Sequence, residues 1–366
     1  MPILPDMRPT HYSPIVSRLK GQVLTIPDLR SLFSRWPAAA SPHQDELART
    51  LNERLPELVP SASSQKTVHK INLPLFVSRL FPTGTLERLK TMTLVALWLF
   101  VWDDSLDEAE HDDTKGRPTM DTLRRQTLSY ARFHMGLDDN DGQRSAVPPV
   151  APLPNMTIFA KFAEKLHQDL PEAHLMRVWR ELEFYLESCF AEQNHLSRQA
   201  LPSVEEYWKV RLGSIGLTPY TALVDYVNEA TVPNEIFDSD EVNTLWLEAS
   251  RNIILVNDAY SLKKELDLSV AYSLIPIMMN ETHQDLSAVV REIVQELNTS
   301  ADQFDDAADR LLANAVALPI EARAGVDVYV QGLKLLLNGS LYWTLAADRY
   351  GMSKYVETNG SRTIPL

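Results

Sequence analysis

The sequence contains a single cysteine, Cys189, among its 366 residues. One cysteine can form neither an intramolecular disulfide nor a thiolate metal cluster, so the chain suits a reducing compartment and we expect a cytoplasmic protein. No apolar run approaches the roughly 20 residues that cross a bilayer. The amino terminus, MPILPDMRPTHYSP, is broken by prolines and lacks the apolar core of a signal peptide. We therefore expect neither a membrane span nor a secretory leader.

The sequence also has no excess of basic residues. It contains 35 Lys and Arg residues and 49 Asp and Glu residues, which give a net charge of −14. A protein that grips a phosphate backbone needs a basic face, so we exclude nucleic acid as a partner. The nine histidines show no HExxH spacing, and neither GxGxxG nor a Walker pattern occurs. These absences exclude the commonest zinc and nucleotide enzymes.

Alternating strand patterns are missing as well, and only 12 residues are glycine. Apolar residues instead recur at helical spacing in one segment after another, which predicts an all-α bundle. The length alone leaves open one large core or two domains. The predicted helices cover residues 43–55, 71–81, 84–105, 119–135, 155–169, 172–198, 203–229, 233–265, 282–308 and 310–350.

One run of nine apolar residues, Leu94 to Trp102, leads directly into a cluster of carboxylates. The run is too short to cross a bilayer, so it predicts a buried helix of the core. Asp103 and Asp107 are four residues apart and share a helix face, whereas Asp104 lies about 100° away around the axis. Burying an unpaired carboxylate costs several kcal/mol, so this helix end should be either solvated or occupied by cations.

A second stretch, IILVNDAYSLKKE, aligns three oxygen-bearing side chains. Asn257, Ser261 and Glu265 stand at i, i+4 and i+8 on one helix stripe, with Lys264 beside them. An amide, a hydroxyl and a carboxylate suit a hard cation such as Mg²⁺. Neither this stripe nor the aspartate cluster would hold Mg²⁺ tightly alone. Facing each other across a cleft, they would need a bridging anion, and a diphosphate fits both the cations and Lys264.

In these residues the chain resembles the class I terpene synthases of the single-domain microbial type. DDSLD at residues 103–107 looks like the aspartate-rich motif of that family, and NDAYSLKKE at 257–265 looks like its NSE triad. Arg211 takes the position of the diphosphate-sensing arginine, and the Arg-Tyr pair at 349–350 looks like the carboxy-terminal pair of the family. The resemblance covers residues 71–350.

The resemblance implies a single-domain α-helical bundle around an apolar active-site cavity, formed by residues 46–350. Residues 1–45, which are rich in proline, are expected to wrap irregularly over this body. Residues 351–366 form a tail that is a candidate lid, and the acidic loop at 107–118 should lie at the mouth of the cleft. The implied reaction is Mg²⁺-dependent ionisation and cyclisation of an isoprenyl diphosphate, with farnesyl diphosphate favoured by the chain length.

The family roles transfer to individual residues of this chain. Three Mg²⁺ ions, for which Mn²⁺ can substitute, would bind through Asp103, Asn257, Ser261 and Glu265, while the role of Asp107 stays open between ligand and support. The diphosphate would contact Arg211, Lys264, Arg349 and Tyr350. Phe100 and Trp343 are expected to face the substrate, where each aromatic ring would stabilise a carbocation by roughly 0.5 to 2 kcal/mol.

Two alternatives remain open. A prenyl-chain-elongating synthase uses two aspartate-rich motifs, and residues 305–309, DDAAD, match the pattern again. That copy follows a polar segment, so we expect it to form a solvated helix face. An elongating synthase would also leave the stripe of Asn257, Ser261 and Glu265 without a role. The other alternative is a helical protein that binds a hydrophobic ligand without catalysis. The sequence does not reveal the oligomeric state, for which a homodimer is one option.

Overall fold

Helices form nearly all the regular structure of residues 13–110, 119–137, 147–198 and 200–366, the parts of the chain that the computed structural model describes. The α-helices are α1 Ser13–Leu19, α2 Arg30–Phe33, α3 Gln44–Leu58, α4 Ala62–Ile71, α5 Leu73–Leu80, α6 Leu86–Glu110, α7 Met120–His134, α8 Met156–Asp169, α9 Glu172–Leu196, α10 Val204–Ser214, α11 Thr218–Thr221, α12 Val224–Val227, α13 Asp240–Asp267, α14 Leu274–Thr282, α15 Leu286–Ala315 and α16 Ile320–Ala346. Two strands, β1 Val23–Ile26 and β2 Arg362–Pro365, complete the elements used below.

Helix α13 lies at the centre of the packing, since α10, α14, α15 and α16 all contact it. Its start is fixed by Ser239, whose side chain accepts a hydrogen bond from the backbone of Val242. Ser203 and Glu206 form a capping box at the start of α10. Such caps contribute on the order of 1 kcal/mol and set where a helix begins. They therefore set the positions of the functional side chains farther along α10 and α13.

The apolar run predicted to be buried lies in α6. Trp98 and Trp102 are both fully buried, and their rings stack with centroids 5.9 Å apart. Helix α6 packs against α5 and α8, and α16 packs against α5. Near their carboxyl ends α6 and α16 meet at α5, where the ring of Phe76 contacts both Phe100 and Trp343. No helix among the described residues is both long and apolar enough to span a membrane.

The chain termini differ from the sequence prediction. Strands were not predicted, yet β1 and β2 pair antiparallel, with Leu24 opposite Ile364 and both side chains fully buried. The described part of residues 1–45 is therefore regular in several places, because it also contains α1, α2 and the start of α3. Four-residue strands are too short to show a clear alternating pattern. The pairing anchors the far end of the tail, and the lid role of residues 351–366 stays a prediction.

Several helix boundaries also differ from the prediction. The segment predicted as one helix over 203–229 is divided into α10, α11 and α12, and Gly216 adopts a φ of 72° at the first break. The break predicted at 309 is wrong, since α15 continues to Ala315 and Pro319 precedes α16. Helices α4 and α14 were not predicted, and each is short.

A buried ion pair fixes α12 against α9. The Arg177 Nη2 atom donates to Asp225 Oδ2 at 2.6 Å, and the two side chains are only 6% and 5% exposed. The Arg177 guanidinium also stacks over the ring of Phe237 at 3.4 Å. Removing one partner of a buried pair leaves an uncompensated charge, which costs about 3–5 kcal/mol.

We therefore expect Arg177→Met to lower the free energy of unfolding by about 3–5 kcal/mol in chemical denaturation. Arg180→Met is the matched control, because Arg180 lies 3.9 Å from Asp238 in a pair whose side chains are 63% and 74% exposed. The control should change stability by less than about 1 kcal/mol. Equal effects of the two substitutions would show that the buried pair does not hold α12 in place.

Candidate active site

The two predicted metal-binding stretches lie on α6 and α13. Asp103 and Asp104 are exposed near the end of α6, and Asp107 lies in the last part of the same helix, although its side chain is outside the described residues. On α13, Lys264 has its pKa lowered to about 8, chiefly by the nearby charge of Arg349 and then by burial, while Glu265, Asp104 and Asp103 oppose this shift. The charges of both stretches therefore act on one ammonium group.

A chain of hydrogen bonds joins three predicted site residues from separate elements. The Arg211 Nη2 atom, on α10, donates to Asn257 Oδ1 at 3.1 Å. The Asn257 amide nitrogen in turn donates to the Tyr350 hydroxyl at 3.0 Å. Tyr350 is buried just beyond the end of α16. The structure thus brings together residues that lie 46 and 93 positions apart in the sequence.

Two carboxylates surround Arg211, whose side chain is 17% exposed. Glu192 Oε1 lies 3.7 Å from Nη1, and Asp258 Oδ1 lies 3.8 Å from Nη2. Burial alone would lower the pKa of Arg211, but Tyr207 and these two carboxylates hold it well above its usual value. Burial also raises the pKa of both Glu192 and Asp258. Arg211 is therefore a permanent cation held in a largely buried acidic setting.

Asp258 connects this arginine to the surrounding framework and was not predicted as a site residue. Its side chain is fully buried, and its Oδ2 atom accepts from the Tyr207 hydroxyl at 2.5 Å and from the Leu274 backbone nitrogen at 2.8 Å. Asp258 links α10, α13 and the start of α14. Its place inside the NDAYS stretch was an available signal, whereas neither Glu192 nor Tyr207 stands in a recognisable motif.

Ser261 and Glu265 offer the oxygens that a divalent cation would use. The Ser261 hydroxyl donates to Glu265 Oε1 at 2.6 Å, while the buried Oε2 atom has no hydrogen-bond partner among the described residues. Burial, followed by the charge of Asp258, raises the pKa of Glu265 to about 7. A buried carboxylate oxygen without a partner, next to a hydroxyl and one turn from an amide, fits a hard oxygen-seeking cation.

The side chains on α13 provide fewer oxygen ligands than a metal site built from protein groups alone would have. In the described parts of the chain, no three His, Cys, Asp or Glu side chains are grouped so as to hold a metal ion. The stripe on α13 uses an amide and a hydroxyl in place of two carboxylates. Mg²⁺ commonly combines one or two carboxylates with substrate phosphates and water. The residues therefore fit a cation that shares its coordination with an anionic substrate.

Aromatic side chains form a wall beside the polar cluster. The Trp343 ring lies 5.8 Å from that of Phe100 and 5.5 Å from that of Tyr350, measured between centroids. Phe76 of α5 joins them, 4.7 Å from Trp343 and 5.6 Å from Phe100. The Trp343 indole donates to the Ile71 carbonyl at 2.7 Å, which fixes its ring. Phe76 was missed because an aromatic residue in a short apolar helix has the same pattern as a core residue.

The polar and aromatic parts of the site meet at Arg349. Its guanidinium lies over the Phe100 ring, 5.1 Å from the centroid, and its backbone nitrogen donates to the Lys70 carbonyl at 3.0 Å. The positive charge of Arg349 also lowers the pKa of Lys264. Arg349 therefore stands between the cationic residues of the site and the aromatic wall.

The second aspartate-rich copy has a different setting. Asp306 and Asp309 are exposed on α15, as predicted for a solvated helix face. Asp305 is half-buried, accepts a hydrogen bond from the Trp36 indole at 2.8 Å and lies 3.7 Å from Lys334. These contacts give Asp305 a structural role in packing the amino-terminal segment against α15.

Comparison with known proteins places these features in a family. Residues 95–303 match the family model described as terpene synthase family 2, C-terminal metal binding. The sesquiterpene cyclase hepA of Aspergillus oryzae is 27% identical over 354 residues, which cover 96% of this chain and 95% of that protein. The terpene cyclase braA of Annulohypoxylon truncatum is 24% identical over 346 residues, or 92% of this chain and 88% of the relative.

Solved structures show the same fold. An α-eudesmol synthase superposes with a TM-score of 0.72 at 17% identity, covering 85% of this chain and 97% of its own. Germacradien-4-ol synthase from Streptomyces citricolor gives a TM-score of 0.68 at 18% identity, with coverages of 84% and 96%. The α-helical bundle is therefore the terpene synthase fold. Because the matched family model spans more than half of the sequence, the chain belongs to terpene synthase family 2 and is a class I terpene synthase, an enzyme that cyclises a prenyl diphosphate with a divalent metal.

Proposed function

We propose that this enzyme ionises and cyclises farnesyl diphosphate in a Mg²⁺-dependent reaction, releasing diphosphate and a sesquiterpene hydrocarbon or alcohol. The observation that carries the proposal is the hydrogen-bond chain from Arg211 through Asn257 to Tyr350, which adjoins both Glu265 and the aromatic wall. Support for the substrate length comes from relatives named as sesquiterpene enzymes, including hepA and the sesquiterpene synthase Agr1 of Cyclocybe aegerita.

Asn257, Ser261 and Glu265 on one side and Asp103 on the other would hold the Mg²⁺ ions, three in number, with Mn²⁺ as a substitute. Asp107 would support Asp103 from the next turn of α6. When bound, the metal stabilises the negative charge that develops on the departing diphosphate. Two carboxylate groups could bind a metal ion without breaking a hydrogen bond between described residues. They are Glu265, through its Oε2 atom, and the exposed Asp103.

Arg211 would exchange partners when substrate binds. It now donates to Asn257 Oδ1, the same oxygen that a metal ion would need. Two cations compete for that oxygen, so metal binding would turn the guanidinium towards the diphosphate. Lys264, Arg349 and Tyr350 would contact the same anion from α13 and from the segment after α16. Asn257 would thereby couple metal binding to anion binding. Hydrogen bonds from these cationic side chains to the diphosphate would favour heterolysis of the C–O bond.

The hydrocarbon part would lie against Phe100 and Trp343, with Phe76 behind them. Their rings stabilise positive charge without offering a nucleophile, and an apolar wall keeps water away from the carbocation. The position of the Arg349 guanidinium over the Phe100 ring would orient the substrate, because the diphosphate end would lie next to that guanidinium. Proton loss would end the reaction as a hydrocarbon, and water capture would end it as an alcohol.

The pH dependence follows from two groups of opposite charge. Glu265 must lose its proton to hold a metal, and its pKa is about 7. Protons therefore compete with Mg²⁺ below about pH 7, and the Mg²⁺ concentration for half-maximal rate should rise up to about tenfold per pH unit. Lys264, with a pKa of about 8, loses its charge as pH rises further, which weakens diphosphate binding. Activity should peak between these values.

Initial rates measured against Mg²⁺ concentration at several pH values test this dependence. Saturating Mg²⁺ should restore the rate on the acid side, because metal binding releases the proton of Glu265. It should not restore the rate on the alkaline side, where Lys264 is neutral. A Mg²⁺ requirement that stays constant from about pH 6 to about pH 8 would show that Glu265 does not titrate with the metal.

The function itself is tested by incubating the purified protein with geranyl, farnesyl or geranylgeranyl diphosphate, with Mg²⁺ or with EDTA. Gas chromatography with mass spectrometry should detect a volatile product from farnesyl diphosphate with Mg²⁺ and none with EDTA. Longer diphosphates that form only when isopentenyl diphosphate is added would support the elongating synthase. Binding of hydrophobic ligands in EDTA with no turnover of any diphosphate would support the non-catalytic protein.

We also infer a cytoplasmic enzyme, on the basis that the lone Cys189 is buried and unpaired in the described structure and that a single cysteine suits a reducing compartment. Burial raises the pKa of the Cys189 thiol well above its usual value, so the group is protonated and inert at neutral pH. The assembly state, including the homodimer, stays a separate question that sedimentation of the purified protein answers.

A further inference from the structure

Tyr207 is a fully buried tyrosine on α10, one turn before Arg211 on the same helix. Its hydroxyl donates to Asp258 Oδ2 at 2.5 Å, and the Leu274 backbone nitrogen donates to the same oxygen at 2.8 Å. Leu274 is the first residue of α14, where backbone N–H groups have no acceptor within the helix and attract negative charge. Helices α10 and α14 together therefore fix one oxygen of this buried carboxylate.

The other oxygen of Asp258 has a different setting. Oδ1 forms no hydrogen bond with any described residue, although the carboxylate is fully buried. It lies 3.8 Å from Nη2 of Arg211, beyond the roughly 2.7–3.2 Å of a hydrogen bond. Glu192 Oε1 lies at a similar distance, 3.7 Å, from Nη1. The guanidinium is therefore held between the two carboxylates by charge, and neither of these contacts is a directional bond.

This arrangement leaves Arg211 able to change partners. A guanidinium and a carboxylate that approach each other freely form two parallel hydrogen bonds. Such a pair would hold Arg211 at Asp258 and keep it from a diphosphate. Because Tyr207 and Leu274 both bind Oδ2, Asp258 offers the arginine only its Oδ1 atom. That contact can be exchanged for a new anion without breaking a hydrogen bond to Asp258.

We propose that Tyr207 is a positioning residue for Arg211 and acts through Asp258. By fixing Oδ2, the hydroxyl keeps the carboxylate from closing on the guanidinium as a two-bond pair, and Arg211 stays available to the diphosphate. Tyr207 itself does not contact the substrate, because its side chain is fully buried and its hydroxyl is bound to Asp258. The inference rests on the proposed function, since it concerns the binding of diphosphate by Arg211.

Calorimetric titration of inorganic diphosphate in Mg²⁺ tests the proposal on the full chain in four forms: unmodified, Tyr207→Phe, Arg211→Gln and the double variant. Tyr207→Phe alone should weaken binding by about three- to tenfold, because Asp258 then withholds Arg211. In the Arg211→Gln background the same substitution should change the affinity by less than about twofold, because the residue through which Tyr207 acts is gone. A tyrosine that only supported the fold would weaken binding in both backgrounds.

Tyr226→Phe is the matched control. Tyr226 is buried on α12, and its hydroxyl also donates to an aspartate, reaching Asp169 Oδ2 at 2.7 Å. Loss of this hydrogen bond should lower the melting temperature, whereas the diphosphate affinity should stay within about twofold of the unmodified value. Thermal melting of every form confirms that binding is measured on folded protein.

Other results would overturn the proposal. Unchanged affinity in Tyr207→Phe, together with weaker binding in Arg211→Gln, would show that the hydroxyl has no role at the diphosphate site and would leave the proposed function intact. Losses that multiply in the double variant, or an equal loss in Tyr226→Phe, would show a general effect on the fold. Unchanged affinity in Arg211→Gln would contradict the proposed role of Arg211 itself, and this inference with it.

Discussion

Replacing Asn257 by leucine and Ser261 by alanine in one variant should lower kcat/KM for farnesyl diphosphate by about a thousandfold or more. The reason is that the two substitutions remove the amide oxygen and the hydroxyl from the stripe on α13. Only the carboxylate of Glu265 is then left to bind a metal ion there. Asn257 also holds Arg211 and Tyr350 in place through its amide, so the metal and the anion would lose their common anchor. A coupled enzyme assay of diphosphate release measures the change in kcat/KM.

The second aspartate-rich copy supplies the matched control for this double variant. Asp306→Asn with Asp309→Asn changes two exposed carboxylates of α15, and the rate should remain within about twofold of the unmodified enzyme. An elongating synthase that used residues 305–309 would give the reverse pattern. If the α15 variant lost activity and the α13 variant kept it, the assignment of the metal site would be wrong.

Arg211→Gln should weaken the binding of inorganic diphosphate in Mg²⁺ by about tenfold to a hundredfold, with a larger loss in kcat/KM. The guanidinium is the cation held between Glu192 and Asp258, and glutamine cannot replace its charge. Arg211→Lys should recover part of the affinity, because lysine keeps the charge but lacks the two-donor geometry. Calorimetric titration with diphosphate gives the affinities directly.

Arg251→Gln is a suitable control for this experiment. Arg251 lies on α13, where it pairs with Glu296 and packs over the ring of Trp208, and it contacts none of the proposed diphosphate ligands. Its loss should change diphosphate affinity by less than about twofold. A comparable loss in both variants would mean that Arg211 acts by maintaining the fold of α10 and α13. Circular dichroism spectra of the variants distinguish a folding defect from a binding defect.

The family could be predicted from sequence because its motifs resemble those of known members, whereas the shared face of the main polar residues followed from helical spacing. Asn257, Ser261 and Glu265 required no tertiary information beyond the presence of a helix. The contact of Arg211 with Asn257 did require it, and the resemblance supplied only the expectation that both residues belong to the site. By contrast, Glu192 and Tyr207 stand in ordinary helical sequence. Their role around Arg211 depends on how α9 and α10 pack, which no local pattern encodes.

The missed structural features have similar physical causes. The pairing of β1 with β2 joins residues from opposite ends of the chain, and each strand has only four residues. The end of α15 was placed too early because the polar sequence around residue 309 resembles a boundary. The apolar period in fact continues through Ala308 and Leu311, both buried. Phe76 shows the limit for aromatic residues, since spacing cannot distinguish a pocket wall from a core.

The measurement that tests the central claim most directly is the affinity of inorganic diphosphate for the unmodified enzyme, titrated with Mg²⁺ and then with EDTA. If neither stretch holds the metal tightly alone, as we propose, Mg²⁺ and diphosphate should each strengthen binding of the other, by about tenfold or more. The same titration in the Asn257 and Ser261 double variant should show little coupling. Equal diphosphate affinity with Mg²⁺ and with EDTA would contradict a shared metal and diphosphate site between α6 and α13.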